Sequence, residues 1–450
     1  MASTYLIRST PSETFSKLTV SCWLKGMADG TQRNFWGLYD NSDNTRFFGL
    51  YYSSNGSLYA YWKQGGEGVQ FTLGTTQKFR DPSAWYHFVM TMDTTLATAS
   101  DRVKFYVNGE RVTSFEDSLD TITQSKTCNM MNGTTDGRMQ WGGGKISGTQ
   151  NYWNGLMSHC HMCVGYAYDA SSFGSTDSVT GEWKINTSPS VSYGTNGGFW
   201  LKDGSQLTDS SSNSNTLTVG GGTLTNTEDC PSNVFATLNP LIAQTGANFL
   251  NGNNNCHRTS AGNYRRIGCT LGATSGKYYA EFLLGASQWG GVCLTNGGDI
   301  KRTEYGTAGY MGEYSADKSV GIRQDGIVYS SGANVSSAQW NLGTISGSDR
   351  LCLALDMDNK KLFLGKNGTW SSSSNPATNT GGITLTGDSY TFCVATSNAD
   401  CIINTGNGNF ANGTTANLIS SEGTNASGIG KFEYDVPNGF TALSTKGLNL

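Results

Sequence analysis

Charge is what this 450-residue chain has least of. Asp, Glu, Lys and Arg together make 14% of it, where about a quarter is usual for a soluble domain. The net charge is −4, so there is no basic surface of the kind that holds nucleic acid. Long apolar runs are missing as well: no stretch approaches the ~18 residues that span a bilayer, and Met1 to Thr10 lacks the apolar core of a secretory signal. Neither membrane insertion nor export is expected. No apolar heptad is sustained, which excludes a coiled coil.

The usual parts of a hydrolase are also absent. With four histidines and no Gly-x-Ser-x-Gly, nucleophilic hydrolysis lacks its machinery. A sandwich-fold glucan hydrolase needs carboxylates at alternate positions of one strand, as nucleophile and acid. No Glu-x-Asp-x-Glu occurs here. The nearest acidic pair, Glu116-Asp117, sends its side chains to opposite faces if extended. A non-enzymatic protein is expected.

What fills the chain instead is Gly, 59 residues of it, with Ser, Thr and Asn, which favour turns and strand surfaces over helices. Apolar and polar residues alternate with period two over residues 18–24, 47–52, 57–62, 85–92, 102–107, 277–284, 320–328, 350–356 and 361–364, the pattern of strands with a buried face. Asn-Gly turns at Ser54-Asn55-Gly56, Asn108-Gly109 and Asn367-Gly368 predict antiparallel hairpins. Helix signals are confined to short turns at Asp169 to Phe173 and Thr415 to Ser421.

The chain has about three times the residues of a typical domain. Asp101 to Gly109 and Asp358 to Gly368 echo each other, each running from an acidic turn through an apolar strand into Asn-Gly. The fold class expected is all-β: two antiparallel β-sandwich (jelly-roll) domains. We place them at 1–225 and 246–450, with a linker at 226–245 and a C-terminal extension. Gly430 to Leu443 alternates through Phe432 and Tyr434; it either adds an edge strand or reaches a neighbouring subunit, or packs back on its own domain.

Three stretches, Leu18-Thr-Val-Ser-Cys-Trp-Leu-Lys25, Trp85-Tyr-His-Phe-Val89 and Lys104-Phe-Tyr-Val-Asn-Gly109, resemble the laminin-G/concanavalin A-like jelly roll. Gly276 to Phe282 and Leu351 to Asp358 with Asn367-Gly368 resemble a SPRY-like sandwich. The linking phrases Phe79 to His87, Asp93 to Arg102, Tyr193 to Gly197, Pro231 to Pro240 and Pro437 to Leu443 resemble virion structural proteins of marine bacteriophages. This resemblance covers nearly the whole chain. It implies a structural protein displayed on the capsid or tail (decoration, cement or fibre component), assembled in the host cytoplasm beside other virion proteins. Closed homo-oligomers are the general rule, and a trimer is the favoured state for such an appendage. The alternative function is a glycan-binding adhesin for host-surface polysaccharide.

Candidate site residues follow from local chemistry. Trp62 and Trp141 stand next to glycine-rich loops and are the tryptophans offered for stacking on sugar rings. No cofactor is required, but Asp40 and Asp43, in Asp40-Asn-Ser-Asp-Asn-Thr45, bring hard oxygens that suit calcium or simply an Asx-rich turn. His159-Cys-His-Met-Cys163 would place His159, His161 and Cys163 on one face of a strand. Alternate positions lie ~6 to 7 Å apart, too far for an undistorted zinc tetrahedron, so buried, hydrogen-bonded imidazoles are the plainer reading. Eleven cysteines, an odd count placed largely within apolar alternation, are expected to be free thiols.

Overall fold

The computed structural model describes residues 3–26, 30–116, 122–130, 132, 136–202, 207–243, 247–258, 264–295, 309–313, 318–336, 340–408, 419 and 421–450. The chain forms two compact units, Met1–Asn226 and Thr227–Leu450.

In the first unit the strands are β1 (Tyr5–Ser9), β2 (Lys17–Lys25), β3 (Arg33–Asp40), β4 (Asp43–Tyr52), β5 (Leu58–Gln64), β6 (Val69–Gly74), β7 (Tyr86–Asp93), β8 (Val103–Val107) and β9 (Glu110–Val112). They continue with β10 (Gly137–Trp141), β11 (Gly143–Ile146), β12 (Thr149–Tyr152), β13 (Leu156–Val164), β14 (Gly174–Thr176), β15 (Trp183–Ile185), β16 (Gly198–Trp200) and β17 (Thr218–Gly221). One sheet runs β17-β1-β10-β3-β4-β5-β6 and the other β16-β13-β2-β7-β8-β9. Both contribute to one core, Phe48, Leu50, Trp36 and Trp62 from the first and Val20, Cys22, Phe88 and Met90 from the second. The hairpins β11–β12 and β14–β15 stand outside these sheets.

Period two explains why both faces of the second sheet are covered. Phe88 and Met90 enter the central core, while Val89 packs outward with Tyr106, Cys163, Ala170 and Phe173. A sheet this poor in charge cannot leave its outer face to water, and the excursion after β13 covers it. The expected turn at Asp169 to Phe173 is a single 3-10 turn, Ala170–Ser172.

The second unit contains β18 (Ala247–Leu250), β19 (Asn255–Arg258), β20 (Arg265–Gly268), β21 (Lys277–Leu284), β22 (Trp289–Leu294), β23 (Val320–Arg323), β24 (Val328–Ser330) and β25 (Ala333–Asn334). After these come β26 (Leu351–Asp356), β27 (Lys361–Lys366), β28 (Thr369–Trp370), β29 (Ile383–Thr384), β30 (Tyr390–Thr396), β31 (Cys401–Asn404) and β32 (Thr441–Ala442). One sheet runs β18-β19-β31-β21-β26-β27-β28, with β29 on β27 and β32 on β21; the other runs β20-β30-β22-β23-β24-β25. Phe282 and Leu353 from one and Val292 and Phe392 from the other meet in the core. The protein is all-β, as two antiparallel sandwiches; the short pairing of β32 with β21 is parallel.

Two expectations need correction. Residues 226–245 are not a linker: Phe235, Ala236 and Leu238 are buried in the second unit, and Phe235 and Leu238 bridge to Ser444 and Cys269. Their apolar side chains find a core there, which a free linker would not offer. Residues 320–328 are not one strand but a hairpin, because Asp325-Gly326 turns the chain, with Gly326 at φ 88°. Of the alternatives for the C-terminal stretch, packing back on its own unit is the one found, with Phe432, Val436 and Phe440 buried. The short turn expected at Thr415 to Ser421 falls largely outside the described residues. All eleven cysteines are free thiols, ten of them buried.

Both Asn-Gly hairpins of the internal echo take the conformation that their residues suit. Asn108 and Gly109 have φ 48° and 83°, and Asn367 and Gly368 have 50° and 74°, as a two-residue turn with two left-handed positions requires. At Gly109 the demand is double, since a Cβ there would lie 2.4 Å from the Trp183 ring. Gly109→Ala should therefore lower the unfolding free energy by more than ~1 kcal/mol in a urea titration. Gly66→Ala, where a Cβ meets nothing within 4 Å, should stay within about 0.5 kcal/mol of the parent.

Candidate functional site

The tryptophans chosen for sugar contact do not reach the surface. Trp62 and Trp141 are both 0% exposed. Trp62 stacks on Phe48 with ring centroids 5.7 Å apart, and Trp141 sits between Trp36 and Trp200 at 6.4 and 6.3 Å. Parity is the reason: Trp62 shares its face of β5 with Leu58 and Ala60, which belong to the core. At roughly 25 cal/mol per Å² over roughly 200 Å², pulling an indole out would forfeit about 5 kcal/mol. The glycan role of these two residues is withdrawn.

The same parity turns the neighbouring residues outward. On β4 these are Phe47, Gly49 and Tyr51, on β5 Tyr59, Tyr61 and Lys63, and on β6 Gln70 and Thr72. Tyr51 lies directly opposite Tyr59 in the register, and their rings stack at 5.1 Å and 12°. One diagonal step along, Phe47 stacks on Tyr61 at 5.1 Å and 15°, as cross-strand aromatic pairs do on a twisted sheet. Tyr51, Tyr59 and Tyr61 remain half-buried. Gly49 separates the two stacks, and a Cβ there would touch the Ile146 side chain at 3.2 Å. The β11–β12 hairpin thus leans over β3 and β4, and among the described residues it makes no comparable contact with β5 or β6.

A polar knot closes one end of this ridge. The Tyr59 hydroxyl donates to Glu116 Oε1 at 2.6 Å, Asn55 Nδ2 donates to the same oxygen at 2.8 Å, and Lys78 Nζ donates to Glu116 Oε2 at 2.7 Å. Hydrogen bonds from Lys78 first and Tyr59 second hold the Glu116 carboxyl down at about 2. A carboxyl so firmly ionised cannot serve as a general acid, which needs its proton near neutrality. By the same parity the carboxylate at an outward position of β4, β5 or β6 is Asp43, at the start of β4, and its Oδ1 is engaged by Thr45. Asp117, the other half of the acidic pair, lies outside the described residues. Sequence reasoning missed the ridge, although the alternation Tyr59-x-Tyr61 against Leu58-x-Ala60-x-Trp62 was sufficient to find it.

Asp40 and Asp43 face each other across the β3–β4 turn and each holds its own turn, Asp40 also accepting from the Asp136 N–H at 3.3 Å. Asp40 Oδ1 accepts from the Ser42 backbone N–H at 3.0 Å and the Ser42 hydroxyl at 2.6 Å. Asp43 Oδ1 accepts from the Thr45 N–H at 2.8 Å and hydroxyl at 2.7 Å. The Thr45 hydroxyl chiefly holds the Asp43 carboxyl below its ordinary range. This is the Asx-turn arrangement, one of the two expected for this loop. Among the described residues no group of three or more His, Cys, Asp or Glu is placed to hold a metal.

The His159 to Cys163 run lies in β13, buried from Ser158 onward, with a bulge between Ser158 and His161 and His159 at φ 49°. His161 stacks on Phe199 at 4.0 Å, and its Nδ1 pairs with the Tyr193 hydroxyl at 3.0 Å. His159 Nδ1 pairs with the Ser158 hydroxyl at 2.7 Å. A third buried imidazole stands nearby on β7: His87 stacks between Trp23, at 4.9 Å, and Trp183, at 5.9 Å. Trp183 Nε1 donates to His87 Nδ1 at 3.0 Å, so the ring proton sits on Nε2 and is donated to the Ser21 hydroxyl at 2.9 Å. These histidines build the sheet and do not form a catalytic group with Ser21, which is buried and whose histidine has no carboxylate on its other nitrogen.

Comparisons with known proteins follow the first sandwich. Residues 2–162 match the concanavalin A-like lectin/glucanases superfamily. No curated protein matches the chain. Among solved structures, the SPRY domain of human HERC1 is 19% identical, covering 37% of this chain and 96% of its own, with a TM-score of 0.28. The CBM40 of the Ruminococcus gnavus IT-sialidase, bound to alpha2,3 sialyllactose, is 18% identical, with coverages of 35% and 80% and a TM-score of 0.27. The heptameric SAP-like pentraxin of Limulus polyphemus is 16% identical, with coverages of 49% and 90% and a TM-score of 0.30.

Burial holds His87 down at about 3 and His161 well below its ordinary value. Both imidazoles are thus neutral in the fold and become protonated on unfolding below about pH 6.5. Their contribution is fully present above that value and is lost as pH falls, by about 1.4 kcal/mol per pH unit for each histidine. Urea unfolding followed by tryptophan fluorescence, which reports mainly the first unit, should show stability falling between pH 6.5 and pH 5.

Proposed function

We propose that the first sandwich is a non-catalytic carbohydrate-binding unit that presents the tyrosine ridge of β4 and β5 to a polysaccharide. One observation carries this reading: Tyr51, Tyr59 and Tyr61 share the outward face of the sheet, half-exposed, beside the hydrogen-bonding knot of Glu116, Lys78 and Asn55. Half-exposed aromatic rings meet the C–H faces and edges of pyranoses, and charged and amide groups beside them satisfy hydroxyls. The superfamily match over residues 2–162 supports the same reading. The ionised state in which Glu116 is pinned supports binding without turnover, since it removes the general acid that glycoside hydrolysis needs.

The setting we propose is a phage particle, in which the protein is a displayed structural component that touches host-surface polysaccharide. Sequence resemblance to virion proteins supports that setting, and the scarcity of charge suits subunit interfaces with few ions to desolvate.

Glycan-array screening followed by calorimetry tests the sugar reading. The parent should bind at least one surface polysaccharide and release no oligosaccharide from it. Tyr51→Ala with Tyr59→Ala should weaken binding at least tenfold, about 1.4 kcal/mol, while the melting transition persists. Unchanged affinity in the double variant, or no binding by the parent across the array, overturns the proposal. Gold-labelled antibody on intact particles tests the setting separately, and unlabelled particles would remove it.

A further inference from the structure

The second unit holds a carboxyl that the sugar-binding reading does not use. Glu281 lies on β21, pointing away from the central core, and is 0% exposed. Its oxygens accept four hydrogen bonds. Two come from the C-terminal segment's backbone, from Glu433 N–H at 2.9 Å and Tyr434 N–H at 2.8 Å. The others come from Asn404 Nδ2 at 3.3 Å and the Tyr279 hydroxyl at 3.2 Å. Asn404 Nδ2 also donates to the Lys431 carbonyl at 2.9 Å, so one side-chain pair grips residues 431–434.

Around this grip the segment lies flat on the outer face of β21, β26 and β27. Phe432 meets Tyr279 with ring centroids 5.0 Å apart, and Phe432, Val436 and Phe440 form a cluster with Tyr279, Cys352, Ala354 and Phe363 that is separate from the central core. Thr441 and Ala442 pair with Tyr278 and Tyr279. Ion pairs tie the segment's edges, Arg350 to Glu433 at 2.6 Å and Lys431 to Glu228 at 2.9 Å. No cation compensates Glu281 itself among the described residues.

We infer that residues 423–443 are a proton-gated strap, gripped through Glu281 and loosened as the medium passes from acidic to neutral. The physical reason is the mismatch between the grip and its surroundings. Ionised, Glu281 accepts from all four donors but carries a charge into an otherwise apolar cluster; protonated, it loses the charge and its O–H can donate a hydrogen bond to the Tyr279 hydroxyl oxygen, reversing that bond. Burial dominates and raises its carboxyl to about 7. A detached strap lets water reach Glu281 and returns it to the ordinary carboxyl range near 4.3. Detachment therefore releases a proton. It becomes easier with rising pH, up to tenfold per pH unit between those two values, and levels off above the upper one.

Other groups facing Glu281 do not mimic this. Tyr279, on its own strand, is pushed well above its usual value, and Cys352, on β26, is pushed up to about 12. Tyr434, from the strap, is also raised. Asn404, on β31, does not titrate. The unit's one histidine, His257, pairs with Asp400 at 2.9 Å, away from the strap, and supplies a control.

Hydrogen exchange with mass spectrometry on the full chain, corrected for the intrinsic rate, tests the inference. Peptides within 423–443 should lose at least tenfold in protection between pH 5 and pH 7.5, while a peptide over 351–356 does not. Glu281→Gln should abolish the pH dependence, and His257→Gln should leave it intact. Parallel change in strap and core, an unchanged profile in Glu281→Gln, or loss of the profile in His257→Gln would each overturn it. If Glu281→Gln fails to fold, the parent and His257→Gln profiles decide alone by the same criteria.

Discussion

A sheet made from alternating residues has two faces, and in a chain with 14% charged residues the second face is seldom polar enough to be left in water. This constraint organises the whole molecule. Each sandwich has its central core, and beyond it the outer faces gather smaller apolar clusters of their own. Chain that lies largely outside the main sheets serves as cover: the β11–β12 hairpin over β3 and β4, the excursion after β13 over β7 and β8, and the C-terminal strap, joined to β21 only through β32, over β21, β26 and β27. Such coverings are also where buried polar groups collect, because a segment laid over a sheet must satisfy its own backbone. His87, His161, Asn404 and Glu281 all sit beneath or between them.

The tyrosine ridge acquires its meaning from the same constraint. It is a part of an outer face that stays half-exposed, and it is built from residues that tolerate that position, since a phenol is an apolar body with a polar tip. Stacking of Tyr51 on Tyr59 and of Phe47 on Tyr61 removes ring surface from water. What remains is an amphipathic strip beside a fixed carboxylate. That is a surface suited to ligands which are themselves apolar on one side and hydroxylated on the other.

Many of the longer strands, among them β2, β4, β5, β7, β8, β21, β26 and β27, were legible in the sequence, because alternation and Asn-Gly turns are local properties. The errors were of two kinds. Asp325-Gly326 was a turn signal overlooked within an apolar run. Residues 226–245 read as a linker because their polar composition hid Phe235 and Leu238, whose core partners, such as Leu443, are far along the chain. The tryptophan choice failed for another reason: neighbouring loops were weighed above parity, and parity governs which way a strand residue points.

The sequence alone determined an all-β chain of two antiparallel sandwiches, its hairpin turns and the absence of a paired-carboxylate strand. Those are decided by backbone preference and by which residue types are present at all. Only the tertiary structure decided that Trp62 and Trp141 are core, that Tyr59 reaches Glu116 across 57 positions, and that Glu281 grips backbone 152 and 153 positions away. Such contacts depend on strand order within sheets and on which segment lies over which face. No local pattern encodes either, because each is chosen by the free energy of the whole packed arrangement.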